Sequence, residues 1–573
     1  MAAWIALGAL ACFALGYRYY ARWLGRRVYR VDEPIPTPAH TQADGCDFVP
    51  TRVEVLFGHH YTSIAGAAPI IGPCIAAYWG WLPAILWIVL GTLFIGAVHD
   101  FGALVASVRE GGRSVADLAA NMLGKRGRIL FMLFVLVLVW LVLAVFAMAI
   151  AGLFLSQPGA VLPVHSSILV ALAVGWLLYR RGMQPLLPSL VALALLYAMV
   201  FAGTAWPLSL QALGLSPRQS YHTWITLLLL YSAIASLLPV WVLLQPRDYV
   251  NSHQLLVGLA LIFAGLFWAH PDLDAPAWRS PTDDAPPLFP LLFVTIACGA
   301  VSGFHGLVAS GTTSKQLDRL PHARAIGYGG MLGEGALALA VALAAVAGIA
   351  LAGESVLPAQ GPVQSLSWSR YYDSWAHTGT NKATAFVLGA GAFLHALGIP
   401  ETLAQTLIAV LIISFAATSL DTATRIQRLI LQELGTALHL APLRQRHIAT
   451  ALAVLPAWGL VLWEVPTATG SKQGVGWLLW PLFGASNQML AALTLFVLTL
   501  YFRRRGTAVL ALFIPMLLVT LMTLAALLTN LRTFWQQGQA LLSALSATLL
   551  ALVLWMLGEG LYAWRNPPQG PLR

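Results

Sequence analysis

Charge is the scarcest commodity in this chain. Of its 573 residues only 9% are Asp, Glu, Lys or Arg, while 59% are hydrophobic. A soluble domain carries roughly 25% charged residues, because it needs a solvated surface. The shortfall runs along the whole length, which excludes a large water-exposed domain at either end. Cysteine is also sparse: Cys12, Cys46, Cys74 and Cys298 form no Cys-x-x-Cys pair, which argues against a disulfide scaffold or a zinc ribbon. There is no Gly-x-x-x-x-Gly-Lys-Ser/Thr phosphate loop, so the chain does not read as an ATP-driven pump. No catalytic residue is assigned and no enzyme is expected. Met1 to Tyr17 is apolar but has no basic leader, so it reads as a retained first helix. The net charge of +10 would suggest nucleic acid in a soluble protein. Here the Lys and Arg residues sit between apolar runs, where they set membrane topology, and no nucleic-acid partner is expected.

What the sequence has in abundance is long apolar runs. A helix crossing the bilayer core needs about 20 apolar residues. Such runs lie near 2–19, 56–79, 83–108, 129–156, 163–179, 186–206, 222–244, 254–270, 288–311, 327–352, 401–424, 447–463, 475–500, 507–529 and 538–562. The reading is an all-α polytopic membrane protein with about 15 transmembrane helices. The stretch 384–397 is too brief for one crossing, and is either re-entrant or an extra span. Arg18, Arg22, Arg26, Arg27 and Arg30 follow the first run; basic residues then recur in alternate loops, at Arg109 to Arg128, Arg180 and Arg181, Arg247, Lys315 to Arg324, Arg444 and Arg446, and Arg503 to Arg505. One intervening loop instead holds Asp272, Asp274, Asp283 and Asp284. Basic loops stay cytoplasmic. The N-terminus is therefore expected outside and the C-terminus, with Arg565 and Arg573, inside.

Several spans refuse to be plain lipid-facing helices. The run 57–73 carries His59 and His60, three hydroxyls, glycines including Gly66, and Pro69 and Pro73. Proline removes a backbone donor and clashes with the preceding turn. Backbone freed in this way inside a bilayer must line a protein-enclosed or watery cavity, the pattern of a discontinuous transporter helix. The alternative is a kinked packing helix with small-residue contacts. A second such run, 295–313, holds Cys298, Ser302 and His305 among glycines. Two interrupted spans, one in each half, point to an inverted-repeat transporter. The candidate substrate contacts are His59, His60, Gly66, Ala67, Pro69, Cys298, Ser302 and His305.

Ionisable residues at bilayer depth cost about 2.5–3.5 kcal/mol each, so they usually pair and face inward. His99 and Asp100 lie inside one span, and the pair can share a proton; a structural ion pair with Arg109 is the alternative. Glu334 is a lone acid in another span and a further proton-carrier candidate. The run 414–425 places Thr418, Ser419 and Asp421 among five hydroxyls near one helix end. Oxygen ligands suit a hard cation such as sodium, and Asp421 and Arg425 are spaced to pair at i, i+4. Alternatively the hydroxyls bond back to their own helix. Asn487 and Gln488 sit within a span and read first as interhelical polar contacts.

These segments carry a resemblance. FGHHYTSIAGAAPIIGP (57–73), GAVHDF (96–101), LLQPRDY (243–249), TIACGAVSGFHGLVASGTTSKQ (295–316), SFAATSLDTATRIQRLILQELG (414–435) and WPLFGASNQMLA (480–491) resemble the carbon-starvation protein A (CstA) family of bacterial peptide and pyruvate transporters. The resemblance implies a secondary transporter in the bacterial inner membrane that scavenges short peptides or pyruvate during carbon starvation, with proton symport for the pyruvate carriers. It also implies a leucine-transporter-type core of two inverted repeats, with extra helices. In that fold Thr418 and Ser419 resemble sodium-site hydroxyls, which keeps sodium coupling as an alternative. The chain then divides into a first helix and basic loop (1–55), a transporter core (56–435) and C-terminal helices (436–573). No cofactor is expected beyond the coupling proton or sodium ion. The competing class is a membrane metal- or haem-binding protein using His59, His60, His99, Asp100, His305 and His395. A nutrient sensor ranks last, because no soluble segment is attached to relay a signal.

Overall fold

A computed structural model describes the chain except residues 281–284, 354, 358–360, 364, 382, 467–471, 475–478 and 566–573. Asp283, Asp284 and Arg573, used above for topology, lie outside the described residues. The described chain is helical almost throughout, with two short antiparallel ribbons, Ser355–Leu357 with Gly361–Val363 and Glu464–Pro466 with Lys472–Gly474.

Apart from short turns of helix in the connections, the helices in chain order are α1 (Ala2–Val28), α2 (Val53–Ile64), α3 (Ala68–Trp79), α4 (Trp81–Arg109), α5 (Val115–Ser156), α6 (Pro158–Tyr179), α7 (Leu186–Ala205), α8 (Pro217–Leu237), α9 (Leu244–Ala269), α10 (Leu288–Thr295), α11 (Ala297–Ala300), α12 (Gly303–Gly311), α13 (Leu320–Leu351), α14 (Thr384–Ala396), α15 (Glu401–Ala437), α16 (Arg446–Leu462), α17 (Trp480–Arg504), α18 (Leu510–Gln536) and α19 (Ala540–Arg565). Among the described residues eleven of these are long and apolar enough to cross a membrane, and α2 with α3, bent by 46°, makes a twelfth. The expected count of about 15 is not reached on length and composition. The other three expected spans are helical but differ in kind. α8 opens on a polar turn whose Ser216 and Gln219 form a capping box. The run 288–311 is broken into α10, α11 and α12. α16 has 17 residues, about 25 Å of helix against a core of about 30 Å. α14, with 13 residues, is shorter still and does not span by itself.

Burial separates a core from a rim. The most apolar stretch of α17 is fully buried and that of α15 89% buried, against 28% for α1 and 33% for α7 and α19. The buried helices are therefore packed by protein, and the rim helices present Leu, Phe and Trp outward, as Leu187, Leu190, Trp206 and Trp268 do. α15 packs along α5, α9 along α2, and α12 between α4 and α17. This puts α2, α3, α11 and α12, the interrupted pieces, at the centre.

The interruptions have local causes. Ala65 leaves helical geometry at φ −75°, ψ 57°, which ends α2. Pro69 then sits in the first turn of α3, where its missing N–H is not needed. Gly66 must be glycine: an added Cβ would lie 2.6 Å from Ser419 Oγ and 2.8 Å from the Phe146 ring. Five-residue π-helical turns at Thr92–Gly96 and Arg324–Tyr328 precede His99–Asp100 and Glu334. Such turns shift a helix's register and occur often at functional sites.

Candidate functional site

The two breaks face one another across a small cavity. Its walls include Ile64, Ala68 and Pro69 from the first break, Cys298, Ser302 and His305 from the second, Phe146 from α5, Ser419 from α15 and Phe483 from α17. The volume open to the centre of a water-sized sphere is about 10 Å³, roughly room for one water molecule. The chain is thus closed around this point. A larger cavity of about 480 Å³ lies apart from it, lined by Arg109, Arg113, Lys315, Glu110 and Glu433 at the basic-loop end.

Beside the small cavity runs a buried chain of ionisable side chains. His99 Nδ1 lies 2.7 Å from Asp100 Oδ1, and Asp100 Oδ2 lies 2.9 Å from His305 Nδ1. His305 Nε2 in turn lies 3.0 Å from Glu334 Oε2. That last approach is an ion-pair contact off hydrogen-bond geometry, and both Glu334 oxygens lack a hydrogen bond among the described residues. All four residues are inaccessible to solvent. Asp100 therefore has two imidazole N–H donors, whereas Glu334 has one close neighbour. His305, expected as a substrate contact, holds both positions: it lines the cavity and bridges the two acids. The alternative pairing of Asp100 with Arg109 is not formed, because Arg109 pairs with Glu33 at 2.8 Å.

The second break is tied by Asn487. Its Oδ1 accepts the Phe304 N–H at 2.9 Å, which caps α12, and its Nδ2 donates to Ser302 Oγ and Cys298 Sγ at 3.0 Å each. Gln488 next to it is buried, and neither amide atom has a hydrogen-bond partner among the described residues. Ala67 forms the turn at the first break, where its carbonyl accepts the N–H groups of Ile70 and Ile71.

His59 and His60 diverge, as adjacent residues on a helix must, and neither lines the cavity. His60 Nδ1 contacts Thr313 Oγ1 at 3.0 Å. His59 Nδ1 meets Asp248 Oδ2 at 2.7 Å and opens a second buried network. Arg247 bonds Asp421 and Asp248 together, and its Nη1 also donates to Tyr231 Oη at 2.7 Å. This corrects two expectations. Asp421 pairs with Arg247 rather than with Arg425, which instead reaches Asp47 and the carbonyls of Ala235 and Leu238. Arg247 is not a loop charge: it is 3% exposed, inside α9. The motif at 243–249 was visible, but Arg247 and Asp248 look like loop residues until His59 and Asp421 are placed beside them. Thr418 donates back to Ser414 O and accepts from Asn251, and Ser419 donates to Ser63 O. His395 is exposed and bonds only locally, to Ile399 O. Among the described residues no group of three or more His, Cys, Asp and Glu side chains is arranged to hold a metal.

The family profile described as carbon starvation protein CstA matches residues 1–526. The chain belongs to the CstA family. Members of the CstA family similar to it include the peptide transporter CstA of Campylobacter jejuni, 33% identical over 88% of this chain and 77% of the other. The peptide transporter CstA of Escherichia coli is 32% identical over 86% and 76%. The pyruvate/proton symporter BtsT of the same organism is likewise 32% identical over 86% and 76%. Among solved structures, a manganese transporter of Eremococcus coleocola covers 91% of this chain and 99% of its own at a TM-score of 0.48 and 12% identity. MhsT bound to L-phenylalanine covers 89% and 98% at 0.44 and 12%. The CstA family membership makes the chain a multi-pass membrane protein of a transporter family, with a small molecule as substrate.

Proposed function

We propose that this chain imports a small nutrient bearing a carboxylate, pyruvate or a short peptide, by symport with a proton. The observation that carries this reading is the buried chain His99–Asp100–His305–Glu334, whose His305 also lines the cavity between the two broken helices. His305 donates through Nδ1 to Asp100, so that between its Nε2 and Glu334 Oε2 one proton can be held on either side. Asp100 Oδ1 and Oδ2 are each taken by an imidazole nitrogen, of His99 and of His305. Glu334 is then the acid that gains and loses the proton, with Asp100 fixing the orientation of both imidazoles. The reading draws further support from relatives named as a peptide transporter and a pyruvate/proton symporter.

Substrate sits between Pro69 and the Ser302–His305 segment. With space for about one water there now, binding requires the half-helices to part, and their movement about the site gives alternating access. The two breaks are the first helices of two inverted repeats. With the basic residues after α1 (Arg18 to Arg30) and after α17 (Arg503 to Arg505) taken as cytoplasmic, the reading has the N-terminus outside and the C-terminus inside a bacterial inner membrane. No metal or haem takes part, and the substrate leaves chemically unchanged.

The test is uptake into proteoliposomes. Labelled pyruvate and a labelled tripeptide are compared with an inward proton gradient and with that gradient collapsed. Gradient-dependent accumulation of one of them is expected. Accumulation that survives collapse of the gradient, or none of either substrate in sealed vesicles, refutes the proposal.

A further inference from the structure

α2, α9 and α15 bring together a second buried cluster, rich in oxygen. Asp248 on α9 and Asp421 on α15 are both buried. Asn251 Nδ2 donates to Thr418 Oγ1 at 3.2 Å, and its Oδ1 has no partner. The Ser63 and Thr422 hydroxyls are 3.3 Å apart, and Ser419 Oγ donates to Ser63 O at 2.9 Å. Asp421 Oδ1 is also unpartnered and buried. Carboxylates, hydroxyls, an amide oxygen and a carbonyl are the donors a hard cation takes. The position between the carboxylates is nevertheless filled. Arg247 Nη1 bonds Asp421, and its Nη2 lies 3.3 Å from Asp248 Oδ1.

We infer that Arg247 is the tethered cation of this cluster and makes transport independent of sodium. A buried carboxylate without a countercharge costs several kcal/mol even after relaxation, so two of them side by side require positive charge. A guanidinium cannot lose its proton at any working pH and matches carboxylates through its fork of N–H donors. It is held further by Tyr231, and it cannot dissociate as a solution ion does. His59 Nδ1 lies 2.7 Å from Asp248 Oδ2 on the side away from Arg247's contact with Oδ1. The two carboxylates of the donor set that resembles a sodium site are thereby bridged by a cation from within the chain, and energy coupling falls to the proton network. This inference rests on the proton-coupled reading above and names the residue that excludes the competing ion.

The test begins without substrate. Thermal unfolding of the purified full-length protein is compared in choline, sodium and guanidinium chlorides at about 50 mM each, so that screening is constant. The wild type and Arg247→Lys should melt alike in all three. Arg247→Ala should melt lower in choline and regain several degrees in sodium or guanidinium. In proteoliposomes under a fixed proton gradient, wild-type uptake should be equal in sodium and choline. Arg247→Ala uptake should fall about tenfold or more in choline and recover with the added cation. A wild type whose melting or uptake responds to sodium overturns the inference, as does an Arg247→Ala protein indifferent to cations. Should Arg247→Ala not fold, the double variant Arg247→Met with Asp421→Asn, which removes one charge of each sign, is expected to fold and to melt independently of cations. A folded double variant that still melts higher in sodium than in choline would overturn the inference, because the carboxylate pair that Arg247 bridges is then gone. Loss of proton-driven uptake in the wild type would defeat the coupling reading alone, since the melting comparison involves no transport.

Discussion

Glu334→Gln tests the proton site most sharply, because it changes titration and almost nothing else. The amide has the size of the carboxyl, so it opens no cavity among residues that are fully buried. It also keeps a polar group opposite His305 Nε2, which now stands 3.0 Å from Oε2, and it leaves the His305–Asp100 contact at 2.9 Å untouched. What disappears is the carboxylate that exchanges the proton with His305 Nε2. One proton per substrate, at zero membrane potential, ties the substrate gradient to the proton gradient. Each pH unit is worth about 1.4 kcal/mol, so two units drive the wild type to about 100-fold accumulation. Glu334→Gln should bring this ratio to about 1 under the same gradient. Exchange of labelled for unlabelled substrate across the membrane requires no net proton movement, so it should stay within a few-fold of wild type. The assay is paired accumulation and counterflow in the same vesicles, with whichever of pyruvate or tripeptide the wild type accumulates. Accumulation by Glu334→Gln that tracks the wild type would show that the proton is carried elsewhere. Loss of counterflow together with accumulation would show that Glu334 serves binding or folding instead.

Asn487→Leu removes the acceptor for the buried Phe304 N–H and should destabilise the protein by about 1–3 kcal/mol, read as lower melting in detergent; unchanged melting would mean that α12 needs no cap from α17. Gly66→Ala places a Cβ 2.6 Å from Ser419 Oγ, and overpacking of this kind costs about 1–3 kcal/mol, so uptake should fall while Gly152→Ala, where an added Cβ meets nothing within 4 Å, remains near wild type. His59→Leu removes the hydrogen bond to the buried Asp248 carboxylate and should cost about 1.5–3 kcal/mol, whereas His60→Gln loses a contact to Thr313 worth about 0.5–1.5 kcal/mol; equal melting losses would contradict the divergent placement of the two rings. Purified protein should show a featureless visible spectrum and no stoichiometric metal, and a haem band or bound metal would revive the metalloprotein class.

The class of molecule follows from the sequence alone, because bilayer insertion is a property of each segment in isolation. About 20 apolar residues prefer hydrocarbon whatever their neighbours are, and the scarcity of charge in this chain leaves no other solvent for it. The interruptions at 65–67 and 301–302 were legible for a related reason: prolines and clustered glycines disturb a helix locally, before any partner is present. His99, Asp100 and Glu334 could be singled out by the energetic cost of their burial.

Partnership could not be read in the same way. That His305 lies between Asp100 and Glu334 depends on how α4, α12 and α13 pack, across sequence separations of 205 residues in the first contact. Local spacing made Arg425 the natural partner of Asp421, yet the packing of α9 against α15 delivers Arg247 instead, since a buried charge is held by whatever opposite charge the fold brings within reach and not by the nearest one in the chain. The same packing turned Arg247 from an apparent loop residue into part of a buried helix, and the span count falls short where the run 288–311 breaks into α10 to α12. Sequence thus determined the solvent and the places where helices yield; tertiary structure decided which ionisable groups meet, because that choice is made by contacts between helices that the chain order does not encode.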